Sequence, residues 1–226
     1  MDAIEEMKRL DLIDAERRQS EQTFKLVSMN TRSLQAHYED ILADKHLMTS
    51  SIICIQETWT KPEETADNYQ ILGKICHLNS VRRGAGIVTY YNQNFTLLKD
   101  IKAMTYQMTA ITSESENMTV INLYRSSKAN SDTIIHALTS VISDENKTTF
   151  ICADWNLCNR EENKHPIFQF LMTNKFSPSQ NPPEASHRDG RCLDMIWTRL
   201  RTDHREINTY QRFAYYTDHG QQYLTM

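Results

Sequence analysis

The feature that most constrains the fold is a short apolar stretch, residues 148–153, followed at once by an acid and an amide. An uncharged run of this length predicts a buried strand. Side chains two residues apart on a strand point to one face, so Asp154 and Asn156 are predicted to project together from its end. A carboxylate beside an amide suits the holding of a water or a phosphate oxygen. The alternative for this stretch alone is a strand end followed by an Asx turn.

The beginning of the chain predicts a strand–helix–strand unit. Residues 24–29 alternate like a strand that ends at Asn30, and residues 52–55 form a second, fully apolar strand. Ser33 is placed to cap the helix between them. Such a unit favours neighbouring strands joined by a crossover.

The rest of the chain alternates between β-rich and helical stretches. Strands are predicted at residues 69–77, 86–91, 106–112, 118–124, 193–197 and 207–213, and helices at residues 131–143 and about 167–172. Ser131 is the predicted cap of the first helix, and Pro166 starts the second. Two strand-rich halves, each with about two helices, predict an α/β fold of two packed sheets with helices outside.

Residues 1–20 carry a weak helical pattern, with apolar residues among mixed charges. We interpret this segment as an N-terminal appendage or linker helix within a longer polyprotein, with a core-capping helix as the alternative. The main domain is then predicted to cover residues 21–226.

The composition limits how this chain can meet a phosphate group. Charge is nearly balanced, with 25 Lys+Arg against 29 Asp+Glu, so any nucleic-acid surface must be local. The chain has five glycines, which disfavours a glycine-rich phosphate loop and favours a bound metal ion. Five cysteines without a CxxC pair predict a reducing compartment, with neither disulfides nor a zinc site. No apolar run approaches the ~20 residues of a membrane span, and no signal peptide opens the chain.

Polar side chains recur where the predicted strands end. They are Asn30, Glu57, Tyr124, Arg125, Asp154, Asn156, Asp194, Thr217, Asp218 and His219. Each alone has a plain alternative, such as a turn residue, a solvated strand end, a core tyrosine or a surface histidine. Polar groups gathered at one end of several strands describe a site, so their coincidence predicts an active site there.

In order along residues 23–226, these positions resemble the endonuclease/exonuclease/phosphatase superfamily, which includes deoxyribonuclease I-like and exonuclease III-like nucleases and inositol polyphosphate 5-phosphatases. The matching segments are Gln56-Glu57, Leu123-Tyr124-Arg125, Ala153-Asp154-Trp155-Asn156, Asp194 and Thr217-Asp218-His219. The resemblance implies a four-layer α/β/β/α sandwich, in which two mixed β-sheets pack face to face with helices outside. This agrees with the predicted order of elements.

One further run narrows the resemblance. Residues 186–196 are similar to a Thr-His-x-x-Gly-x-x-Leu-Asp pattern of mobile-element nucleases, the endonuclease domains of LINE-type retrotransposons and of some Helitron transposons. Three departures stand out, because the family usually has Gly-Asp-Phe-Asn at residues 153–156, Ser at Thr217 and, in the transposon nucleases, Thr at Ser186. All three keep the functional side chain, so they bear on efficiency more than on chemistry.

The resemblance implies a metal site. Glu57 would be the first ligand of a Mg²⁺ ion, with Asn30 beside it and Asp218 as a further carboxylate, and Mn²⁺ is expected to substitute. Mg²⁺ prefers hard oxygen ligands and keeps several waters, so one or two carboxylates suffice. The ion would offset the negative charge of the phosphodiester and stabilise its poor leaving group.

The resemblance also implies the catalytic residues. Asp154 would orient and deprotonate the attacking water, and Asn156 would hold the scissile phosphate. His219, oriented by Asp194, would donate to a non-bridging oxygen as charge builds there. Tyr124 would contact the phosphate or assist the leaving group. A buried ion pair without a catalytic role is the alternative for the Asp–His pair.

Arginine is concentrated near the end of the chain. It occurs at residues 188, 191, 199, 201, 205 and 212, and no lysine lies among them. Its forked donors suit phosphate recognition, although the interspersed acids leave a solvated face as the alternative. Substrate binding is assigned to Arg125, Ser186, Arg188, Arg191, Thr217 and Trp155. Trp155 is the candidate stacking platform for a base, with a core position as its alternative.

The sequence thus predicts a Mg²⁺-dependent DNA endonuclease domain of a mobile element, which nicks one strand and leaves a 3′-hydroxyl. It is expected to be a monomeric domain of a polyprotein with reverse transcriptase or helicase, intracellular, and nuclear if it acts on chromosomal DNA. One alternative is a phosphomonoesterase acting on inositol or lipid phosphates. Another is a domesticated, inactive nucleic-acid-binding domain.

Overall fold

The computed structural model describes residues 24–82, 84–142, 144–157, 164–180, 185–201 and 207–226. The predicted N-terminal helix over residues 1–20 lies outside these ranges. The strands are β1 (Lys25–Asn30), β2 (Ile52–Gln56), β3 (Ile75–Asn79), β4 (Ile87–Tyr91), β5 (Thr96–Lys102), β6 (Tyr106–Ser113), β7 (Met118–Arg125), β8 (Thr148–Asp154), β9 (Ser177–Pro178), β10 (Asp194–Arg199), β11 (Asn208–Phe213) and β12 (Gly220–Thr225). The helices are α1 (Leu34–Ala43), α2 (Lys45–Met48), α3 (Ser131–Thr139) and α4 (Pro166–Thr173), with a 3₁₀ helix at Ala66–Tyr69.

The strands form two mixed sheets of six strands each. The first sheet has the order β11-β12-β1-β2-β4-β3, and the second has the order β5-β6-β7-β8-β10-β9. Each sheet contains one parallel pair, β1 with β2 and β7 with β8, and helices cross between the two strands of each pair. The crossover predicted between the first two strands is therefore confirmed.

Both faces of each sheet are buried, which explains the continuous apolar runs in the central strands. Leu26 and Ile52 of the first sheet pack against Phe150 and Ile196 of the second sheet to form the core between them. On the outer face of the first sheet, Val27, Ile53 and their neighbours pack against Leu34 and Ile41 of α1. On the outer face of the second sheet, residues from β7, β8 and β10 pack against α3 and α4. The predicted four-layer α/β/β/α sandwich is confirmed.

Local signals for the helices were mostly reliable. The Ser33 side chain accepts a hydrogen bond from the backbone N–H of Ala36, and Pro166 opens α4, both as predicted. The cap of α3 is Asn130 rather than Ser131, because the Asn130 side chain accepts from the backbone N–H of Asp132. This helix also ends at Thr139, earlier than predicted.

One strand prediction was wrong in part, and one strand was not predicted. The run at residues 69–77 begins instead with the 3₁₀ helix, and its strand is β3. Strand β5 was missed, since it lies at the edge of the second sheet and exposes Leu97 and Leu98, so its pattern lacks a buried face. Among the described residues, the helices lack the length and hydrophobicity that crossing a bilayer requires.

Two cysteines lie in the core between the sheets. Cys54 and Cys152 are both buried there. Burial raises the pKa of the Cys54 thiol well above its usual value, so it behaves as a small apolar side chain.

Candidate active site

The predicted polar residues meet at one end of the sandwich because of the strand directions. β1, β2, β7 and β8 deliver Asn30, Glu57, Tyr124 and Asp154 at their C-terminal ends. The antiparallel strand β10 begins at the same end, with Asp194 directly opposite Asp154. β12 is antiparallel to β1 and begins just after His219. Both sheets therefore contribute to one site.

Asp154 is fully buried at the centre of this site. One carboxylate oxygen, Oδ2, accepts a hydrogen bond from Asn30 Nδ2 at 2.8 Å, and the other, Oδ1, accepts from the backbone N–H of Asn156 at 3.0 Å. The first of these bonds joins the two sheets. Burial and the nearby negative charges of Asp194 and Glu57 raise the pKa of Asp154 well above its usual value. An acid in this setting readily takes up a proton, as a general base must.

The predicted shared projection of Asp154 and Asn156 is wrong. The strand ends at Asp154, and Asn156 adopts a left-handed backbone with φ of 48°. The Asn156 N–H bonds back to Asp154, which is the Asx turn considered as the alternative. The Asn156 side chain then donates to the backbone oxygen of Arg125 at 2.8 Å. Asn156 is partly exposed and braces the loop beside the site.

Backbone strain is concentrated around the site. Arg32, Glu57, Trp59 and Asn156 all have φ between 48° and 52°, a region that non-glycine residues seldom adopt. Strained residues of this kind cluster at functional sites, where the surrounding structure maintains them. Here the strain re-aims the chain just after β1, β2 and β8, where those strands leave the sheets.

His219 and Asp194 form a buried hydrogen-bonded pair. His219 Nδ1 lies 2.6 Å from Asp194 Oδ2, which also accepts from the Ser186 hydroxyl at 2.9 Å. Burial would lower the pKa of His219, but Asp194, with the charges of Asp154 and Asp218, outweighs it and raises that pKa to about 9. The imidazole is therefore protonated at neutral pH and can donate from Nε2.

Asp218 lies at the mouth of the site and is held from two sides. Arg32 Nη1 contacts Asp218 Oδ2 at 2.5 Å, and His187 Nε2 contacts the same oxygen at 3.1 Å. Burial opposes ionisation, but Arg32 and the two histidines lower the pKa of Asp218, so it is a carboxylate at neutral pH. Its Oδ1 is buried and has no hydrogen-bond partner among the described residues.

The residues present fit a divalent cation. Burial raises the pKa of Glu57, although Asn30 and His219 oppose that effect. Asp194 Oδ1 and Asp218 Oδ1 are buried without a hydrogen-bond partner in the described part of the chain. The ligand atom of Asp218 also lies within 4.8 Å of those of His187 and His219. His219 is protonated at neutral pH, so it does not serve as a metal ligand there. Closely spaced hard oxygen donors with excess negative charge are what Mg²⁺ and Mn²⁺ require.

Tyr124 is buried beside these acids, against Ala85 and Ile87. Burial, together with the negative charges of Glu57 and Asp154, raises the pKa of the Tyr124 hydroxyl. The phenol therefore stays protonated at neutral pH and acts as a donor. This suits either of its predicted roles.

Several residues assigned to substrate binding instead support the site from behind. Ser186 is fully buried, holds Asp194, and accepts from the backbone N–H groups of Leu193 and Asp194 at 2.8 Å. Arg125 is buried and donates to the backbone oxygen of Trp155 at 3.1 Å. Thr217 is buried and donates to the backbone oxygen of Asn30 at 2.8 Å. Ser186 and Arg125 are buried and hold other residues of the candidate site, so direct substrate contact was the wrong prediction for these two. Thr217 also lines the open cleft beside Asp218, so its contact with substrate stays a prediction.

The stacking platform was also wrongly assigned. Trp155 is 0% exposed and packs edge-on against Phe168 of α4, with the ring centroids 5.5 Å apart. Its indole N–H donates to the backbone oxygen of Met195 at 3.3 Å. Trp155 continues the alternation of Ile151 and Ala153, which face the helices, and therefore points away from the active site.

The Trp155→Leu variant is expected to lose stability and to keep its DNA affinity. Truncating a buried tryptophan to alanine costs about 3–5 kcal/mol, and leucine refills part of that space, so we expect a loss of about 2–3 kcal/mol. Urea unfolding and equilibrium binding to an oligonucleotide measure the two quantities. An unchanged unfolding free energy with weakened DNA binding would restore the stacking platform.

Arg32, Trp59 and Arg188 line the open side of the site beside Asp218. Arg188 donates to the backbone oxygen of Ala214 at 2.8 Å, and Arg191 pairs with Asp189. Arg32, Trp59 and His187 were not singled out. The available signal for Arg32 and Trp59 was their position two residues after a predicted metal ligand, and for His187 it was the His of the Thr-His-x-x-Gly-x-x-Leu-Asp pattern.

No protein-family model matches the chain, and no curated protein sequence matches it. Solved structures do match. An AP endonuclease from Archaeoglobus fulgidus aligns with a TM-score of 0.69 and 12% identity, covering 89% of this chain and 98% of the other. D. rerio TDP2 complexed with a single-strand DNA product aligns with a TM-score of 0.60 and 11% identity, covering 90% and 98%. An endonuclease/exonuclease/phosphatase family protein from Bacteroides thetaiotaomicron aligns with a TM-score of 0.59 and 9% identity, covering 90% and 94%. The chain therefore has the endonuclease/exonuclease/phosphatase fold.

Proposed function

We propose that this chain is a metal-dependent phosphodiesterase that cleaves DNA. One observation carries the proposal. The Asn30–Asp154 pair and the Asp194–His219 pair lie together in one site to which both sheets contribute. One pair offers a base for water, and the other offers a protonated donor for the phosphate. Structures with the same fold include proteins described as an AP endonuclease and as TDP2 with a DNA product, which supports this substrate class.

The proposed division of labour follows from the contacts. Asp154, oriented by Asn30 and by the Asn156 backbone, takes the proton of the attacking water. His219, kept protonated by Asp194, donates from Nε2 to a non-bridging oxygen of the phosphate. Tyr124, which stays protonated, donates to the phosphate or to the leaving oxygen. Asn156 remains a candidate phosphate ligand, since the second N–H of its partly exposed amide has no assigned role.

A divalent ion would be held by Glu57, Asn30 and Asp218, and it would stabilise the charge on the phosphate and on the leaving oxygen. Asn30 Oδ1 accepts from the backbone N–H of Arg32 at 3.0 Å and has a second lone pair for such a role. We propose Mg²⁺, with Mn²⁺ as a substitute.

The finer proposal is a mobile-element endonuclease domain that nicks one DNA strand and leaves a 3′-hydroxyl. It is supported by the resemblance of residues 186–196, in which Ser186 and Asp194 now have a structural reason to occur together. A monomeric domain of a polyprotein with reverse transcriptase or helicase, acting in the nucleus, goes with this proposal.

The deciding experiment is cleavage of supercoiled plasmid with Mg²⁺, with Mn²⁺ and with EDTA. We expect nicked circles with either metal and none with EDTA. Hydrolysis of bis(p-nitrophenyl) phosphate and of p-nitrophenyl phosphate in parallel separates a phosphodiesterase from a phosphomonoesterase. Cleavage of the monoester alone would favour the inositol or lipid phosphatase alternative. Loss of both activities beside intact DNA binding would favour an inactive binding domain.

Arg188 is exposed beside the site and provides a test of DNA contact by salt dependence. Each phosphate contact that is lost should reduce the log–log salt slope of binding by roughly 0.9, so Arg188→Gln should flatten the slope by about that amount. Lys175→Gln is the matched control. Lys175 pairs with Glu145, just before β8, and Asp154 lies at the other end of that strand. If both variants and the wild type give equal salt slopes, Arg188 does not contact a DNA phosphate and belongs to a solvated surface.

A further inference from the structure

An open cleft of about 390 Å³ adjoins the candidate active site at Asp218. Its other lining residues include Arg32, Trp59, Arg188 and Tyr215. These four residues lie in four separate loops, which follow β1, follow β2, precede β10 and precede β12 respectively. No single sequence motif therefore includes all the residues of the cleft. Its volume falls within the roughly 300–1,000 Å³ of small-ligand sites.

Tyr215 is an exposed aromatic ring that is nevertheless fixed in orientation. It is 78% exposed, and its hydroxyl donates to Asp40 of α1. The edge of the ring meets Tyr216, with centroids 5.3 Å apart and planes at 88°. Tyr216 is itself stacked by His37 at 5.6 Å. A ring held by its hydroxyl and its neighbour, with most of its surface open, forms a rigid flat platform.

Guanidinium groups flank this platform. Arg188 is bonded to the backbone oxygen of Ala214, the residue before Tyr215. Arg32 lies over the Trp59 ring at 5.9 Å and contacts Asp218. Trp59 follows the proposed metal ligand Glu57 by two residues and lines the same cleft as Asp218. The cleft therefore combines aromatic surface with positive charge and is continuous with the residues proposed to hold the metal.

We propose that this cleft binds an unpaired nucleotide next to the scissile phosphate, with its base stacked on Tyr215 and its phosphate on Arg188. Base stacking on an aromatic side chain together with arginine at the backbone is the chemistry that recognises single-stranded nucleic acid. A paired base within a stacked duplex could not present its face to the ring. The inference rests on the proposed function for the position of the scissile phosphate, and it makes the cleft the part of the site that selects unpaired or frayed DNA.

The test uses binding, measured in EDTA so that cleavage does not interfere. Fluorescence anisotropy with a labelled single-stranded oligonucleotide compares the wild type, Tyr215→Ala, Tyr215→Phe and Tyr210→Ala. Tyr210 is a second exposed tyrosine, on β11, that does not line the cleft. Loss of one stacked base should weaken binding by roughly 5- to 150-fold in Tyr215→Ala. Tyr215→Phe keeps the ring but loses its bond to Asp40, so it should weaken binding much less than Tyr215→Ala. Tyr210→Ala should change affinity little.

A second probe asks whether the ring meets a base. A series of oligonucleotides, each with one abasic residue, is bound by the wild type and by Tyr215→Ala. At one position, removal of the base should make the two proteins bind equally, because the same stack is already lost. The proposal is overturned if Tyr215→Ala binds every oligonucleotide more weakly than the wild type by the same factor, or if it binds all of them as tightly as the wild type.

The proposed function is tested separately by hydrolysis of bis(p-nitrophenyl) phosphate, which has no base to stack. Suppose that the wild type hydrolyses this diester and that Tyr215→Ala binds oligonucleotides as tightly as the wild type. The nucleotide-binding role of the cleft would then be rejected, and the proposed phosphodiesterase activity would stand. The opposite pattern, base-dependent binding without hydrolysis of any diester, would keep the cleft and reject the phosphodiesterase.

Discussion

A protein carrying Asp154→Asn is expected to cleave DNA roughly 10²–10⁴-fold more slowly, the usual cost of removing a general base. Its DNA affinity should hold or rise slightly, because a negative charge beside the phosphate is gone. Single-turnover cleavage and equilibrium binding on one oligonucleotide measure the two effects. Parallel loss of rate and affinity would show that Asp154 binds the phosphate or the metal instead.

The structure supplies a matched control for this variant. Asp154 accepts a hydrogen bond from Asn30 Nδ2. The single change replaces this carboxylate with an amide, which can place an NH₂ group opposite the NH₂ group of Asn30 and so lower the stability. The double variant Asn30→Asp/Asp154→Asn exchanges donor and acceptor and restores the pair. We expect its unfolding free energy to recover while its cleavage rate stays low. Recovery of cleavage would mean that the pair matters for structure and that Asp154 is not the base.

The Asp194→Asn protein is the second variant with a large expected effect, a loss of roughly 10²–10⁴ in the cleavage rate. Without the negative charge of Asp194, the pKa of His219 should fall from about 9 towards the ordinary histidine value of roughly 6.5. The imidazole would then be mostly neutral at pH 8. NMR titration of His219 in EDTA measures the pKa directly, which separates loss of the proton from a general structural defect.

The same variant has a pH signature in stability. A histidine pKa that is raised by folding stabilises the protein fully below the unfolded value, and the contribution disappears as pH rises through the folded value. The wild type should therefore lose stability as pH rises from about 6.5 to about 9, and Asp194→Asn should lose less over that range. Asp189→Asn is the control, since Asp189 is exposed and pairs with Arg191 and His187. A rate loss without a pKa change at His219 would contradict the assigned role of Asp194.

How far the sequence could predict the site is shown by the residues around β8. Alternation along the strand was sufficient to predict burial and to place Asp154 at its end. It could also have assigned Trp155 to the helix-facing side, since Ile151 and Ala153 share that side. The left-handed turn at Asn156 depends on a hydrogen bond back to Asp154, which periodicity does not encode. Backbone conformation after a strand therefore decided which predictions of side-chain direction were wrong.

Other failures came from contacts that periodicity does not encode. Ser186 was assigned to substrate because it lies in the run that resembles the transposon nucleases, and only the tertiary structure shows its bond to Asp194. The cleft at Tyr215 and Arg32 joins residues nearly the whole domain apart. In contrast, the order of the layers was predictable, because runs that are apolar at every position require burial on both faces.

The position of β12 in its sheet affects when the candidate active site can assemble during synthesis. β12 is the last of the described strands in chain order, yet it lies inside the first sheet, between β11 and β1. Its pairing with β1 brings His219 to Asp194 in the opposite sheet. A nascent chain that has not yet released this strand from the ribosome lacks both the closed sheet and the imidazole. The candidate site would therefore stay incomplete in a nascent chain until β12 inserts between β11 and β1.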